Sequence, residues 1–402
     1  MTREVVVVSA VRTPFGRFGG ALKGHDIYDL SAFSMREVLA RVNLPGNVVD
    51  EVYWGIGDTS SCKDVYTPVV ARQALLKAGL PYETTSCTLD KACVSAMSAI
   101  QLGFRAIRHG EADAAIGGGG TTFSQEPFIM RNVRWDGQRM GNLQLEDPLF
   151  FLAYKDYSPV SVDAGVTAVA HGITREQQDE WAYRSHQLYG AAFAEHEFRD
   201  EIIPLDYTEG KEVKQLKQDE QFRPTISLEK LAALQPIYGS PTVTAGNAPG
   251  LNDGSAAVLI MSREKAEELG VEPLATIVSA ANAGLAPHLL AEVPAQATFK
   301  ALKQAGLTLD DMNQIEINEA FAAVPLVSSK ILAGDDTART KQLRERMNLN
   351  GGAIAIGHPN TASGARILMT LIYQLRRRGG GYGVAAICGG LAQGDAMVVK
   401  VE

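Results

Sequence analysis

The sequence predicts an α/β protein built from two similar halves, with an irregular insertion lodged inside the first. Three observations lead there. Short apolar, β-branched runs alternate with stretches of helical spacing. The order of elements in the first 120 residues returns after residue 273. Between the two copies the composition changes: residues 121–245 hold most of the aromatics, including Trp135 and Trp181, along with many charges and few regular strands.

Taken in order, Glu4–Ala10 is apolar and β-branched and reads as a buried strand, broken by Arg12-Thr13-Pro14-Phe15-Gly16. Asp29–Val42 has helical spacing, Glu51–Ile56 reads as a second strand, and Tyr66–Gly79 as a helix closed by Gly79. Thr84–Leu89, with its Thr-Thr and Ser-Cys pairs, suits a strand or a loop. Cys93 follows, with small helix-compatible residues behind it and Ile100, Gly103, Phe104 and Ile107 at helical spacing. Ala112–Ile116 is another strand and runs into Gly117-Gly118-Gly119-Gly120.

In the insertion, Thr174 as N-cap and Gln177 at N3 form a capping box that opens a helix to about Glu195. Long insertions on compact scaffolds usually cover a binding or active site. Ala245–Gly254 is a Gly/Asn-rich loop, and Ser255–Ser262 is an apolar strand or the end of a short helix.

Then the plan repeats. Pro273–Ala281 echoes Glu4–Val11, and Met312–Ile317 echoes the strand at Glu51. Gly351–Leu375 echoes Asp90–Ile107, and Val384–Ile387 echoes Ala112–Ile116, each of these last two followed by a glycine cluster. The expected division is therefore residues 1–120 with 246–272, the insertion 121–245, and residues 273–402. Equivalent turns of the two halves should meet at a pseudo-twofold junction, which brings Cys93, His358 and Cys388 into one neighbourhood.

Composition excludes several function classes. The net charge is −8, and the only basic run, Arg376-Arg377-Arg378, closes a helix-like segment, so nothing would track a nucleic-acid backbone. Cys62, Cys87, Cys93 and Cys388 show no CxxC spacing, so neither a disulfide framework nor a metal site is expected. Reduced thiols fit a cytoplasmic setting. The N-terminus is acidic within four residues, unlike a signal or transit peptide. No apolar run approaches ~20 residues, so no membrane span is expected.

Cys93 is the first candidate for chemistry. A cysteine at a helix N-terminus feels the positive end of the dipole, which favours thiolate. A free cysteine is also commonly a small core hydrophobe, and this stretch alone leaves both readings open. Three further stretches converge with it: NEAFA at Asn318–Ala322, the run Asn350–Arg366 containing Gly357-His358-Pro359 and Ala362-Ser363-Gly364-Ala365-Arg366, and Cys388-Gly389-Gly390-Leu391-Ala392. With VRTPFGRFGG at Val11–Gly20, REQQDE at Arg175–Glu180, DEIIPL at Asp200–Leu205 and TAGNAPGLNDGSAAVLIMS at Thr244–Ser262, the sequence resembles the thiolase family of acetyl-CoA acetyltransferases and 3-ketoacyl-CoA thiolases, nearly end to end.

The resemblance implies two duplicated βαβαβαββ halves in a five-layered αβαβα arrangement, with an inserted loop domain that binds coenzyme A. It implies reversible Claisen condensation of acetyl-CoA with an acyl-CoA through an acyl-Cys93 intermediate, foremost as an acetyl-CoA C-acetyltransferase of fatty acid metabolism. A 3-ketoacyl-CoA thiolase of broader or longer-chain specificity, or a thiolase-like scaffold subunit without turnover, are the alternatives. Cys93 matches the nucleophile, His358 its general base, and Cys388 the acid/base at the Cα proton. Asn318 matches the residue that positions a water in an oxyanion hole with His358, while the N–H groups of Cys93 and Gly390 match a second hole. Glu319 matches a supporting structural position. Ala320 and Phe321 match residues beside the reacting thioester. Arg223 falls at the adenine and 3′-phosphate end of coenzyme A, and Ala245 and Pro249 in the loop along its pantetheine arm. Coenzyme A thioesters are substrates, no cofactor is implied, and a homodimer or homotetramer is expected. The chain departs from the family pattern at Asp90, Pro159-Val160-Ser161, Pro249, Asn360, Thr361 and Leu391-Ala392, all around the substrate rather than at the reacting groups.

Overall fold

The computed structural model describes residues 2–57, 68–135, 137, 140–150 and 154–402. The first half comprises β1 (Val5–Arg12), β2 (Gly16–Arg17), α1 (Ile27–Ala40), β3 (Glu51–Gly55), α2 (Val70–Lys77), β4 (Thr85–Leu89), α3 (Ser95–His109) and β5 (Ala114–Thr121). The segment left open as strand or loop is thus a strand, β4. The helix expected from Tyr66 begins at Val70 within the described residues; Tyr66, Thr67 and Cys62 lie outside them. The insertion carries α4 (Val160–Ala170), α5 (Arg175–Ala194), the hairpin β6 (Leu205–Glu209) and β7 (Glu212–Leu216), and α6 (Leu228–Ala232). Thr174 and Gln177 form the expected capping box, each side chain bonded to the other's backbone N–H.

The chain returns to the first half as β8 (Asn252–Ser262), an 11-residue strand, and leaves it through α7 (Arg263–Leu269). The second half comprises β9 (Ala275–Gly284), α8 (Val293–Ala305), β10 (Met312–Ile317), α9 (Ala323–Leu332), α10 (Thr337–Glu345), α11 (Ala353–Ile356), α12 (Ser363–Arg377), β11 (Gly381–Gly389) and β12 (Gln393–Val401).

Strand pairing repeats between the halves. The first runs β4-β3-β5-β8-β1 and the second β10-β11-β12-β9. In each, the pairings nearest the crossover helices are parallel (β3 with β4 and β5; β10 with β11) and the remainder antiparallel. The counterpart of β4 in the second half shrinks to one parallel bridge, Ile315 to Met347. There the side chain of Asn348 takes over the ladder: its Oδ1 accepts from the Ile317 N–H and its Nδ2 donates to the Ile317 carbonyl. The two sheets join where β1 pairs with β9 at Val6–Thr276 and Val7–Ala275.

Alternation along the strands divides the core into layers. In β8, Ala256, Val258 and Ile260 face a central core, while Ala257, Leu259 and Met261 face an outer one with α1 and α2. In β12, Met397 and Val399 face the same central core, while Ala396 and Val398 face the opposite outer core with α8 and α9. Helices α3 and α12 fill the space between the sheets, giving five layers. The glycine run of β5 is a packing device. A Cβ on Gly117 would lie 2.7 Å from the Cα of Ile100 in α3, and one on Gly119 would lie 2.2 Å from the carbonyl oxygen of Thr361. Only a strand without side chains lets α3 and the turn before α12 come this close.

One buried ion cluster fastens the insertion to the first half. Arg12 is fully buried at the end of β1. Its Nε donates to Glu201 at 2.9 Å, and its Nη1 and Nη2 donate to the two oxygens of Asp219 at 2.6 and 3.0 Å. Asp219 also accepts from the Phe15 N–H and the Tyr189 hydroxyl, and Glu201 from Thr370. This explains why β1 extends past the expected Ala10: its last residue is the anchor. Replacing one partner of such a cluster strands buried charge, so Arg12→Met should lose ~3–5 kcal/mol of unfolding free energy, read by chemical denaturation; a loss under ~1 kcal/mol would show the cluster to be incidental.

Candidate active site

Cys93 sits in a 3-10 turn, Ala92–Val94, immediately before α3. The turn is tight enough to place Ala92 at φ +50°, a left-handed conformation that costs a residue with a Cβ ~1–2 kcal/mol. Three contacts hold it: Asp90 Oδ1 accepts from the Ala92 N–H at 2.8 Å, and Ser95 Oγ accepts from the Lys91 N–H and donates to the Ala92 carbonyl. Asp90, one of the departures, is therefore the cap of the nucleophile turn.

His358 comes from the turn ahead of α12. Its N–H donates to Asn252 Oδ1 at 2.8 Å, and Gly357, at φ +115°, takes a backbone conformation that residues with a side chain rarely adopt, with a Cβ there only 3.0 Å from Asn252 Cγ. His358 Nε2 lies 3.3 Å from Cys93 Sγ, and Nδ1 lies 2.7 Å from Ser363 Oγ. In the tautomer whose Nδ1–H donates to Ser363, Nε2 presents its lone pair to the thiol.

Cys388 is buried at the end of β11. The following turn holds Leu391 and Ala392 at φ +57° and +54°. Both cysteine turns are thus strained, and an ion pair ties them together. Lys91 Nζ reaches Asp395 of β12 at 2.6 Å, and Asn282 Nδ2 donates to the same oxygen at 2.6 Å. Ser98 of α3 donates to the other oxygen.

A cavity of about 370 Å³ opens over these groups, lined by Cys93, His358, Cys388, Gly390, Ala320 and Phe321 among others. Pro249 lines it too, and so do Asp90, Asn360 and Val160 among the positions that depart from the family pattern. Thr361 does not. Its hydroxyl donates to the Gly120 carbonyl at 2.6 Å, and its N–H donates to Thr121 Oγ1. Arg223 and Ala245 are exposed and away from the cavity lining; Arg223 Nη1 donates to the Ala245 carbonyl at 3.3 Å. Among the described residues no cluster of histidine, cysteine and carboxylate could hold a metal ion.

Asn318 is fully buried and is not among the residues that line the cavity. Arg366 Nη2 donates to its Oδ1 at 3.0 Å. A guanidinium has only donors, so this bond fixes the hand of the amide and turns Nδ2 away from Arg366. Nδ2 has no hydrogen-bond partner among the described residues, which fits a donor kept for a ligand or water. Glu319 is fully buried and saturated: it accepts from Trp181, Asn348, Ser185 and the Ile354 N–H. It ties α5 of the insertion to the segment that leads into His358.

Electrostatics here differ from the helix-dipole expectation. Burial pushes the Cys93 thiol up to about 12, with the Asp90 charge adding to it. Cys388 is also raised, by burial first and the Cys93 charge second. His358 is lowered to about 3, by burial and then by Arg366. Desolvation outweighs the dipole, so the resting pair is a neutral thiol facing a neutral imidazole, and proton transfer is confined to the step itself. Sequence reasoning passed over Lys91, Tyr154, Asn252 and Asp395. Asn252 stood inside a quoted motif, whereas nothing local marks Tyr154 or the Lys91–Asp395 pair, since both depend on distant segments meeting.

Thiol reactivity tests this directly. A raised thiol pKa means thiolate appears only as pH rises. Alkylation of Cys93 by a small haloacetamide, followed by peptide mass spectrometry, should accelerate through about pH 9 with no plateau. A plateau below about pH 7 would mean a resting thiolate–imidazolium pair.

Comparison with known proteins agrees with this geometry. Residues 5–264 match the thiolase N-terminal domain and residues 271–401 the thiolase C-terminal domain. The chain is 40% identical over 407 residues to an acetyl-CoA acetyltransferase of Syntrophomonas wolfei, covering 100% of both. It is 38% identical over 403 residues to the mitochondrial 3-ketoacyl-CoA thiolase of Homo sapiens, covering 100% of this chain and 99% of that protein. The crystal structure of that human enzyme in complex with CoA superposes with a TM-score of 0.92 at 37% identity, covering 100% of this chain and 99% of the other. With two matched domains spanning nearly all of its length and a full-length relative at 40% identity, the chain belongs to the thiolase family.

Proposed function

We propose that this chain is an acetyl-CoA C-acetyltransferase, which condenses two acetyl-CoA molecules and cleaves the 3-ketoacyl-CoA product in reverse. The observation that carries the reading is the 3.3 Å contact between Cys93 Sγ and His358 Nε2, with Cys388 lining the same cavity.

In the first half-reaction Cys93 attacks the thioester carbonyl as its proton passes to His358 Nε2. The C–S bond to coenzyme A breaks, and the leaving thiolate takes up that proton, leaving acyl-Cys93. In the second, Cys388 first gives up its own proton and, as thiolate, accepts a Cα proton from acetyl-CoA. The resulting carbanion attacks the acyl-Cys93 carbonyl, the C–S bond to Cys93 breaks, the departing Cys93 thiolate takes up the proton that Cys388 gave up, and the 3-ketoacyl thioester is released. Gly390 and Cys93 offer backbone N–H groups to the tetrahedral intermediate, and His358 with Asn318 serves the enolate oxygen. In this reading Ala320 and Phe321 flank the thioester, Pro249 and Ala245 belong to the loop along the pantetheine arm, and Arg223, which donates to the Ala245 carbonyl, serves the adenine and 3′-phosphate end of coenzyme A. The enzyme is expected to work in the cytoplasm, in fatty acid metabolism, as a homodimer or homotetramer.

Rapid mixing with acetyl-CoA should release a burst of free coenzyme A equal to the enzyme present. Cys93→Ala should abolish the burst, whereas Cys388→Ala should keep it and lose condensation by at least ~10³-fold. A full burst from Cys93→Ala would overturn the mechanism. Thiolysis rates across 3-ketoacyl-CoA chain lengths should peak at four carbons; a maximum at longer chains would assign the broader specificity instead.

A further inference from the structure

The insertion places one side chain at the reacting centre that the reading above leaves without a role. Tyr154 lines the cavity. A Cβ built on Gly390 would lie 1.9 Å from the Tyr154 hydroxyl oxygen, 2.6 Å from its Cζ and 3.2 Å from the Cβ of Ala92. The phenol therefore rests on the Gly390 backbone, where the turn after Cys388 meets the turn that carries Cys93. The Tyr154 carbonyl accepts from the Tyr157 N–H, so a turn fixes the backbone that delivers it. Among the described residues the hydroxyl has no hydrogen-bond partner. A phenol that lines the cavity, is set against the main chain and has no hydrogen-bond partner among the described residues offers its donor to whatever enters.

We propose that the Tyr154 hydroxyl is a catalytic hydrogen-bond donor to the thioester oxygen as it becomes an oxyanion at Cys93, acting beside the N–H of Gly390. The assignment rests on the acyl-cysteine reading. Geometry supplies the reason: the carbonyl attacked by Cys93 must lie over the Cys93 and Gly390 turns, and Tyr154 is the cavity-lining side chain that covers Gly390. Electrostatics support it. Burial, together with the charges of Cys93, Asp90 and Cys388, raises the phenol's pKa, so it stays a protonated donor throughout the neutral range. The contact also constrains Gly390, because a side chain there would collide with the phenol where it stands.

The test is Tyr154→Phe, which keeps the ring and its packing and removes only the donor. Acylation by acetyl-CoA is followed as the burst of free coenzyme A, with steady-state condensation measured alongside. Loss of one oxyanion donor costs about 10²–10³ in kcat in other acyl-transfer enzymes. The variant should therefore slow both the burst and kcat at least tenfold, with KM within about twofold. A burst and kcat within twofold of the parent overturn the proposal, as does a raised KM at unchanged kcat, which would make Tyr154 a binding contact. Cys93→Ala runs in the same assay. If it keeps its burst, the acyl-cysteine reading fails; if it loses the burst while Tyr154→Phe keeps a full one, only the Tyr154 assignment fails.

Discussion

The catalytic arrangement depends on how closely two helices meet at their first turns. A Cβ on Gly364, near the start of α12, would lie 2.6 Å from the backbone nitrogen of Met97 near the start of α3. Cys93 is set immediately before α3 and His358 shortly before α12. The contact at Gly364 therefore fixes the separation of nucleophile and base. Glycines of β5 permit the same closeness on the other side, where Gly117 faces Ile100 and Gly119 faces the Thr361 carbonyl. Because α3 and α12 occupy equivalent places in the two halves, duplication of the fold is what makes this meeting of helix starts possible.

Around that junction, desolvation governs the chemistry. The dipole of α3 favours a thiolate, but burial of Cys93 opposes charge more strongly, and the thiol stays protonated. The same burial keeps His358 neutral, helped by Arg366. Arg366 is itself fully buried, with Glu316 at 3.6 Å and a hydrogen bond to Asn318. Burial raises Glu316 to about 8 against the pull of Arg366, so near neutral pH the guanidinium is only partly compensated. A buried positive charge behind a site where oxyanions form lowers the energy of those intermediates without touching them. Left-handed Ala92, Leu391 and Ala392 mark where the backbone is bent to aim both cysteines, and the Lys91–Asp395 pair holds the two bends in register.

Much of the fold was legible because it follows periodicity. A β-branched run marked β1, Glu51–Ile56 read as the strand β3, their echoes after residue 273 marked β9 and β10, and the capping box marked the start of α5. The ambiguous stretches, Thr84–Leu89 and Ser255–Ser262, became strands for tertiary reasons: β4 pairs with β3, and β8 is held between β1 and β5. The ends of elements were less legible. β1 continues to Arg12 because an ion cluster with Glu201 and Asp219, some 200 residues on, buries a charge that looks like a breaker in the sequence.

At the site, Cys93, His358 and Cys388 were readable from motifs, and the cavity gathers them. The departures divide by physical role. Asp90 caps a turn, Thr361 bonds to β5, and Asn360 and Val160 face the cavity. No local pattern distinguishes these fates. Tyr154 was silent for the same reason, being one aromatic among many in an irregular insertion. The central claim is that the acyl group is carried on Cys93 and depends on His358 from the other half. The most direct measurement is rapid-quench peptide mass spectrometry after mixing with acetyl-CoA. The account predicts one acetyl group on the Cys93 peptide, and none at that time point when His358 is replaced by alanine. Acetyl on Cys388, or equal labelling of Cys93 without His358, would contradict it.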